Sequence, residues 1–231
     1  MSDVWPSLER LAREEGVLRL GASDLADAHA ALFDEWIARG HHASMQYLAK
    51  NSAVRRNPHE RWPWAQSVIV ILVPYSASRP EAPEGALSHT VARYALGDDY
   101  HDVLDAILRK FEAALAGVKT WRYVDTGPLS DRSLAAQAGL GWIGKNGMLL
   151  DEQHGSYFFI GTLLTALEND IDAEAVADRC GTCTRCLDAC PTDAILADRT
   201  LDSHRCISYA TIEHRGALDI GVHGHTFGCD I

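Results

Sequence analysis

A short run of cysteines near the end of the chain constrains its fold more than any other feature. The run has four cysteines separated by two, two and three residues and is closed by a proline: Cys180, Cys183, Cys186, Cys190 and Pro191. This is the spacing of thiolates that ligate an iron–sulfur cubane. In proteins with two clusters the fourth cysteine ligates the other cluster. It then needs partners further along the chain, where Cys206 and Cys229 are the remaining cysteines.

Two other uses of cysteine fit the pattern less well. Zinc sites favour paired CxxC units or sets of Cys and His. A disulfide framework is typical of small secreted domains, whereas this chain has 231 residues and carries all six cysteines after residue 179. The sequence therefore predicts iron–sulfur chemistry that is confined to the C-terminal part.

Charge and hydrophobicity limit the partners of the chain. The sequence has 21 basic and 32 acidic residues, a formal net charge of −11. Because phosphate binding needs clustered Lys and Arg, bulk electrostatics do not favour nucleic acid, and a polynucleotide would have to meet a local patch. The charged N-terminus has no apolar signal-peptide core, and no apolar run is long enough to span a membrane. We expect a cytoplasmic protein without a membrane partner.

Hydrophobic periodicity predicts an α+β fold, because helices and strands are mixed without strict alternation. A continuous apolar run at 67–73 predicts a central strand buried on both faces. Ser23 and Asp24 are a predicted cap for a helix over 25–39, and Asp98 or Asp99 for a helix over 100–116 with Val103 in its core stripe. Ser130 or Asp131 is expected to cap a helix that ends at 138. Further strands are predicted at 17–22, 120–124, 148–150 and 156–165, and a surface loop at 76–88.

Two segments outside the cysteine run could carry chemistry. Asp125 follows a predicted strand and precedes Thr-Gly-Pro, a place where a carboxylic acid can act as a proton donor; a turn or helix cap is the alternative. The glycine-rich stretch 139–147 lacks the spacing of a phosphate-binding loop. It either approaches a large flat ligand, with Lys145 and Asn146 as polar anchors, or forms an irregular turn packed by Trp142.

Taken together, these segments resemble the epoxyqueuosine reductases, a family that depends on cobalamin and iron–sulfur clusters. The resemblance runs through most of the chain in order. Its motifs lie at 92–101, 124–128, 138–146, 155–161, 180–194, 206–213 and 227–230.

The resemblance implies a nitroreductase-like cobalamin-binding core at 1–170 and a ferredoxin-like module at 171–231 that holds two [4Fe–4S] clusters. The clusters would reduce cobalamin to Co(I), which would then reduce epoxyqueuosine to queuosine in the anticodon of a tRNA, with Asp125 as the acid. An external electron donor and a monomeric enzyme are expected. The implied cobalamin contacts are Arg93, Tyr94, Gly144, Lys145, Asn146, Ser208 and Thr211.

The family pattern assigns the cysteines to two clusters. Cys180, Cys183 and Cys186 belong to the first, and Cys190, Cys206 and Cys229 to the second. The family continues with two further cysteines, and six thiolates cannot fill two four-thiolate sites. We therefore expect this sequence to be a fragment that ends before its last ligands.

Two alternatives to the tRNA reductase remain open at this point. The excess of acidic over basic residues suits a related cobalamin and iron–sulfur reductase that acts on a small molecule, similar to reductive dehalogenases. The other alternative, an electron-transfer protein of the ferredoxin type, leaves the large α+β core without a role.

Overall fold

The computed structural model describes residues 1–75 and 90–230. The predicted loop at 76–88 lies outside these residues. A four-stranded sheet organises the core, and its strands are β1 (Arg19–Asp24), β2 (Ser67–Pro74), β3 (Thr120–Tyr123) and β6 (Phe158–Thr165). Their order is β1-β2-β6-β3, and every neighbouring pair is antiparallel.

The predicted central strand is confirmed as β2. Its residues from Ser67 to Val73 are buried, as expected for a run without polar alternation. Such runs are typical of parallel sheets, whose two faces are covered. Here the sheet is antiparallel, and both of its faces are nevertheless covered.

Helices cover the two faces of the sheet with opposite sets of strand residues. On one face, α1 (Trp5–Glu14) and α5 (Tyr100–Ala114) pack with Ile69, Ile71 and Leu163. On the other, α6 (Asp131–Gln137) packs with Val68, Val70 and Leu164. Because successive strand side chains point to opposite faces, one apolar strand supplies both layers.

Helix α5 confirms its predicted cap, since the Asp99 side chain accepts a hydrogen bond from the backbone N–H of His101 at 2.9 Å. The core stripe is confirmed at Leu104, Ile107, Leu108 and Phe111, which are buried. The prediction for Val103 was wrong, because its side chain is 42% exposed and lies one position off the stripe, where it borders a cavity.

The predicted cap at Ser23 and Asp24 was also wrong. Both residues belong to β1 and pair with Val68 and Ser67 of β2. Helix α2 (Ala30–Ala38) begins later and has no side-chain cap. Pairing with β2 keeps both residues in a strand that ends before the chain turns into α2, so neither can cap that helix. Two short helices follow, α3 (Gln46–Lys50) and α4 (Ser52–Arg56).

The glycine-rich stretch forms a tight two-stranded ribbon, in which β4 (Trp142–Ile143) pairs with β5 (Leu149–Leu150). Its glycines allow close internal packing. A Cβ atom on Gly139 would lie 2.7 Å from the Glu174 carbonyl oxygen, and one on Gly144 would lie 2.6 Å from Leu150 Cδ1. The structure thus contains a packed turn whose glycines fit against neighbouring segments.

The cysteine-rich segment packs on this core. No helix or strand occurs between β6 and α7 (Arg185–Ala189), and a π-helix follows at Tyr209–Glu213. The last described residues return to the core, where Val91 forms a β-bridge with Phe227 and Arg93 Nε lies 3.0 Å from Asp230 Oδ2. In the part of the chain that the structure describes, no helix combines the length and apolarity needed to cross a membrane.

Gly21 of β1 tests the contact between the sheet and α6. A Cβ atom there would lie 2.5 Å from the Ala138 carbonyl oxygen, so we expect Gly21→Ala to destabilise the fold by about 1–3 kcal/mol through overpacking. Gly97→Ala is the matched control, because no heavy atom lies within 4 Å of the position that its added methyl group would take. Urea unfolding of both variants checks this; equal stability would contradict the packing described.

Candidate active site

Asp125 lies just past the end of β3 in a strained backbone conformation. Its φ angle is +56°, a region that non-glycine residues adopt at a cost of about 1 kcal/mol or more. The hydroxyl of Tyr100, the first residue of α5, donates a hydrogen bond to Asp125 Oδ2 at 2.8 Å. The carboxylate is therefore aimed by a neighbouring element and does not cap the turn in which it lies.

Asp125 lines a cavity of about 580 Å³ that has an aromatic wall. Tyr100 stacks on Phe159 with ring centroids 4.4 Å apart and an interplanar angle of 4°. Tyr94 meets Tyr100 edge-on at 6.1 Å, and Tyr75 also lines the cavity. The volume is within the range of small-molecule and cofactor sites, roughly 300–1,000 Å³.

The tyrosines around Asp125 are held as neutral hydrogen-bond donors. Burial raises the pKa of Tyr100, and the negative charge of Asp125 and the hydrogen bond to it raise that pKa further. Burial and the charges of Asp125 and Asp230 raise the pKa of Tyr94. Burial also raises the pKa of Tyr75, to about 12. A tyrosine beside Asp125 therefore keeps its proton at neutral pH.

A second carboxylate, Asp131, lines the same cavity. Its Oδ1 accepts a hydrogen bond from Thr162 Oγ1 of β6 at 3.0 Å. Burial raises the pKa of Asp131 to about 6, hydrogen bonding opposes the rise, and the charge of Asp125 adds to it. Asp131 is the first residue of α6, and the residue before it, Ser130, makes no capping hydrogen bond. From sequence alone Asp131 was a candidate cap, and no local signal distinguishes it from one.

Of the predicted cobalamin contacts, the structure brings Tyr94 together with Asp125 in this cavity. Arg93 lies next to it in a neighbouring cavity that shares the aromatic wall. Its guanidinium lies 4.3 Å from the centroid of the Tyr157 ring, and its backbone N–H donates to Asp230 Oδ2 at 2.8 Å. Arg93 thus connects the cavity region to the last described residues.

Gly144, Lys145 and Asn146 form the turn between β4 and β5 and do not line the cavity that contains Asp125. Lys145 Nζ instead donates to the carbonyl oxygens of Gly181 and Cys183, at 2.7 and 2.8 Å. The turn therefore holds the first cysteine loop against the core. Sequence reasoning did not anticipate this contact, which joins residues that lie far apart in the chain.

Ser208 and Thr211 lie at the π-helix, a feature that is frequent at functional sites. Thr211 Oγ1 donates to the Ile207 carbonyl oxygen at 2.8 Å and accepts from the Gly228 N–H at 3.0 Å. The helix is joined to the cavity through Tyr47, which lines it and whose hydroxyl lies 3.4 Å from Glu213 Oε1. Ser208 and Thr211 thus flank the cavity without lining it.

Cys190 is the cysteine most clearly prepared as a ligand. Its Sγ accepts a hydrogen bond from the Ala194 N–H at 3.3 Å. Burial raises the pKa of Cys190, but hydrogen bonds from Thr192, Ala194 and Ile195 outweigh it, and the net pKa is lowered. The thiolate is the metal-ligating form, so this loop fits the chemistry of a cluster ligand.

Within residues 1–75 and 90–230, no three His, Cys, Asp or Glu side chains converge as ligands of a single metal ion.

Comparisons with known proteins agree with both parts of this arrangement. The family model of epoxyqueuosine reductase (QueG, DUF1730) matches residues 55–126, and that of the 4Fe-4S double cluster binding domain matches residues 179–231. An epoxyqueuosine reductase of Xanthomonas campestris pv. campestris is 39% identical over 99% of this chain and 68% of its own length.

Two solved structures are similar over nearly the whole chain. One is an epoxyqueuosine reductase with a tRNA-Tyr epoxyqueuosine-modified stem loop; its TM-score is 0.82 at 32% identity, over 98% of this chain and 64% of that one. The other is the Bacillus subtilis enzyme with its catalytic aspartate loop swung out of the active site; its TM-score is 0.82 at 29% identity, over 98% and 63%. The chain spans about two thirds of the length of these proteins.

Asp131→Asn tests the burial of the second carboxylate. Because the pKa of Asp131 is raised from 3.8 to about 6, the folded protein binds this proton more tightly than the unfolded chain does. The stabilisation is present below pH 3.8 and is lost as the pH rises through about 6. We expect the Asn variant to be more stable than the parent at pH 8, by up to about 3 kcal/mol, with a much smaller difference at pH 4.

Thermal unfolding at the two pH values measures this effect. Asp172→Asn, at an exposed position, is the control and should show no such pH dependence. A stability difference that is equal at both pH values would contradict the burial argument.

Proposed function

Because the chain belongs to the epoxyqueuosine reductase family, we propose that it reduces epoxyqueuosine to queuosine in tRNA. The observation that carries the proposal is the position of Asp125, a carboxylate aimed by Tyr100 into an aromatic-walled cavity. A cysteine-rich module packs against the same core through Lys145. A protein that only carried electrons would need neither the cavity nor an oriented acid beside it.

The reaction sets clear demands on the residues around the substrate. Conversion of an epoxide to an alkene and water consumes two electrons and two protons, so the site needs a proton donor and a route for electrons. Asp125 meets the first demand. Its Oδ2 accepts the Tyr100 hydrogen bond, which leaves Oδ1 to carry the proton toward the epoxide oxygen. Tyr100 keeps its own proton and fixes the direction of the acid.

The cofactors of this proposal are cobalamin and two [4Fe–4S] clusters, each of which takes three of its thiolate ligands from this chain. Cobalamin, when bound, supplies a strongly reducing cobalt centre. Tyr94 would contact the cofactor at the cavity wall. The turn at Lys145 and the π-helix at Thr211, which lie next to the cavity, would contact it as well. The conformation of these segments in this chain supports the assignment, since Met148 after the turn and Tyr47 beside the helix both line the cavity.

The same proposal divides the chain into two functional parts. We assign residues 1–170 to the cobalamin-binding core and residues 171–231 to the ferredoxin-like module. The long connection without helix or strand before α7 supports this boundary. An external electron donor must reduce the clusters again after each turnover, because each turnover consumes two electrons. Since tRNA is a cytoplasmic molecule, we place the enzyme there, acting as a monomer.

The acidic charge of the chain is compatible with a tRNA substrate. Arg55 and Arg132 line the cavity that contains Asp125. Beyond a Debye length of about 8 Å at physiological salt, exposed charges are largely screened, so a phosphate near the cavity responds mainly to the charges that line it, the cations Arg55 and Arg132 and the carboxylates Asp125 and Asp131. The anticodon loop would thus meet two local cations on an acidic protein.

Asp125→Asn tests the acid directly. Asn tolerates the left-handed backbone and still accepts the Tyr100 hydrogen bond, but it carries no transferable proton. In the chain extended to the full length of its relatives, we expect kcat on an epoxyqueuosine stem loop to fall by about 10²–10⁴-fold with little change in the affinity for that stem loop. Asp3→Asn, at an exposed position, should keep the parental rate. A parental kcat in Asp125→Asn would refute the role of the acid.

Cys190→Ala tests the ligand assignment. The closing cysteine of such a run is expected to ligate the cluster not bound by the first three. In the chain extended to the full length of its relatives and reconstituted anaerobically with iron and sulfide, we expect the variant to lose the second cluster and to keep the first. Iron content and electron paramagnetic resonance measure this. Selective loss of the cluster at Cys180, Cys183 and Cys186 would reverse the assignment.

A further inference from the structure

The first cysteine loop, residues 180–183, is tied to the core by an ion pair to which the proposed reaction gives no role. Asp178 Oδ1 accepts a hydrogen bond from the Cys180 N–H at 2.8 Å. The other carboxylate oxygen, Oδ2, pairs with Arg199 Nη2. Arg199 Nη1 donates to the Ile143 carbonyl oxygen of β4 at 2.6 Å. The carboxylate that holds the backbone of a predicted ligand is therefore neutralised by a cation that also contacts the core.

Arg199 reaches this position from the segment between Cys190 and Cys206, the two cysteines of the second cluster that flank it in the chain. Its φ angle is +66°, a conformation that persists in a non-glycine residue only where the surrounding structure holds it. A Cβ atom on Gly147 would lie 3.1 Å from the Arg199 carbonyl oxygen. The backbone of Arg199 thus packs closely against the β4–β5 turn, and this packing directs its guanidinium toward Asp178.

Lys145 of the same turn holds the first cysteine loop at its carbonyl groups. Its Nζ donates to the carbonyl oxygens of Gly181 and Cys183, at 2.7 and 2.8 Å. Because residues 181–185 are exposed, burial contributes little to the order of the loop. Polar contacts at Cys180, Gly181 and Cys183 therefore hold it in place, as a loop that must present several thiolates to one cluster requires.

We infer that the Arg199–Asp178 ion pair positions the loop of the first cluster and sets the reduction potential of that cluster. Net charge, hydrogen bonding and solvent exposure tune the potentials of iron–sulfur clusters. A reduced cluster carries one more negative charge, so an uncompensated carboxylate beside Cys180 would disfavour reduction. Arg199 removes this penalty, and Asp178 can then hold the Cys180 N–H without making the cluster a weaker electron acceptor.

This inference rests on the proposed function, in which Cys180, Cys183 and Cys186 ligate the first cluster. The experiment therefore uses the chain extended to the full length of its relatives and reconstituted anaerobically with iron and sulfide. A redox titration followed by electron paramagnetic resonance gives the potential of each cluster. The signal of the first cluster is the one that Cys183→Ala removes.

Arg199→Met leaves the carboxylate of Asp178 unpaired. We expect the ratio of reduced to oxidised first cluster at a fixed potential to fall about three- to tenfold, as a unit charge several ångströms away would cause in a partly exposed site. The midpoint potential is then lower by about 30–60 mV, since a tenfold change is about 59 mV for one electron. Arg56→Met is the matched control, because it breaks a partly exposed ion pair with Asp34 in the core and should leave both potentials unchanged.

Asp178→Asn makes the opposite change. Asn still accepts the hydrogen bond from the Cys180 N–H, but the charge of Arg199 is then uncompensated, so we expect the potential of the first cluster to rise by a similar amount. The double variant restores the local charge balance, and its potential should return close to that of the parent. A purely structural role would instead give two shifts of the same sign that add in the double variant.

Opposite shifts in the two single variants, with a fall in Arg199→Met and a rise in Asp178→Asn, support the inference. Any other pattern of potentials overturns it and leaves the proposed function standing. If Arg199→Met does not assemble the first cluster, Asp178→Asn decides: a rise in potential supports the inference, and no rise overturns it. Failure of the unaltered protein to assemble a cluster that depends on Cys183 would overturn both the inference and the cluster assignment.

Discussion

The pairing of β2 with β6 is the constraint on which the rest of the structure depends. The apolar run from Val68 to Val73 has no polar face, so it must be paired on both edges and covered on both sides. Pairing with β6 on one edge, over eight residue pairs, and with β1 on the other meets the first demand, and α1, α5 and α6 meet the second. Because β3 pairs with the other edge of β6, the end of β3 is fixed relative to α5 and α6.

The candidate acid owes its position to this framework. Asp125 follows β3, Tyr100 begins α5, and Phe159 lies on β6, so three different elements converge at one cavity. Each contact is short-ranged: a hydrogen bond of 2.8 Å between Tyr100 and Asp125 and a ring stack at 4.4 Å between Tyr100 and Phe159. Rigid elements therefore aim a side chain that itself sits on a strained turn, and the strain is held by the surrounding packing.

The interface between the core and the cysteine-rich module also depends on polar contacts between distant segments. Lys145 holds the carbonyl oxygens of the first cysteine loop, and Trp36 holds the Leu201 carbonyl oxygen. Both donors belong to the core and both sets of acceptors to the module. These contacts bring the predicted cluster ligands beside the core that contains Asp125, an arrangement that would suit the electron transfer proposed above.

Local patterns in the sequence determined several features of this protein. The unbroken apolar run predicted β2, the Asp99 cap predicted the start of α5, and the cysteine spacing predicted the ligand chemistry. These signals lie within a few residues of one another, so they can be recognised without the fold. The roles of Asp131 and of the glycines at 139–147 could not be recognised in this way, and neither could the exposure of Val103. Only the tertiary structure joins Ile143, Asp178 and Arg199 in one network of hydrogen bonds, because such contacts depend on packing between segments that are far apart in the chain.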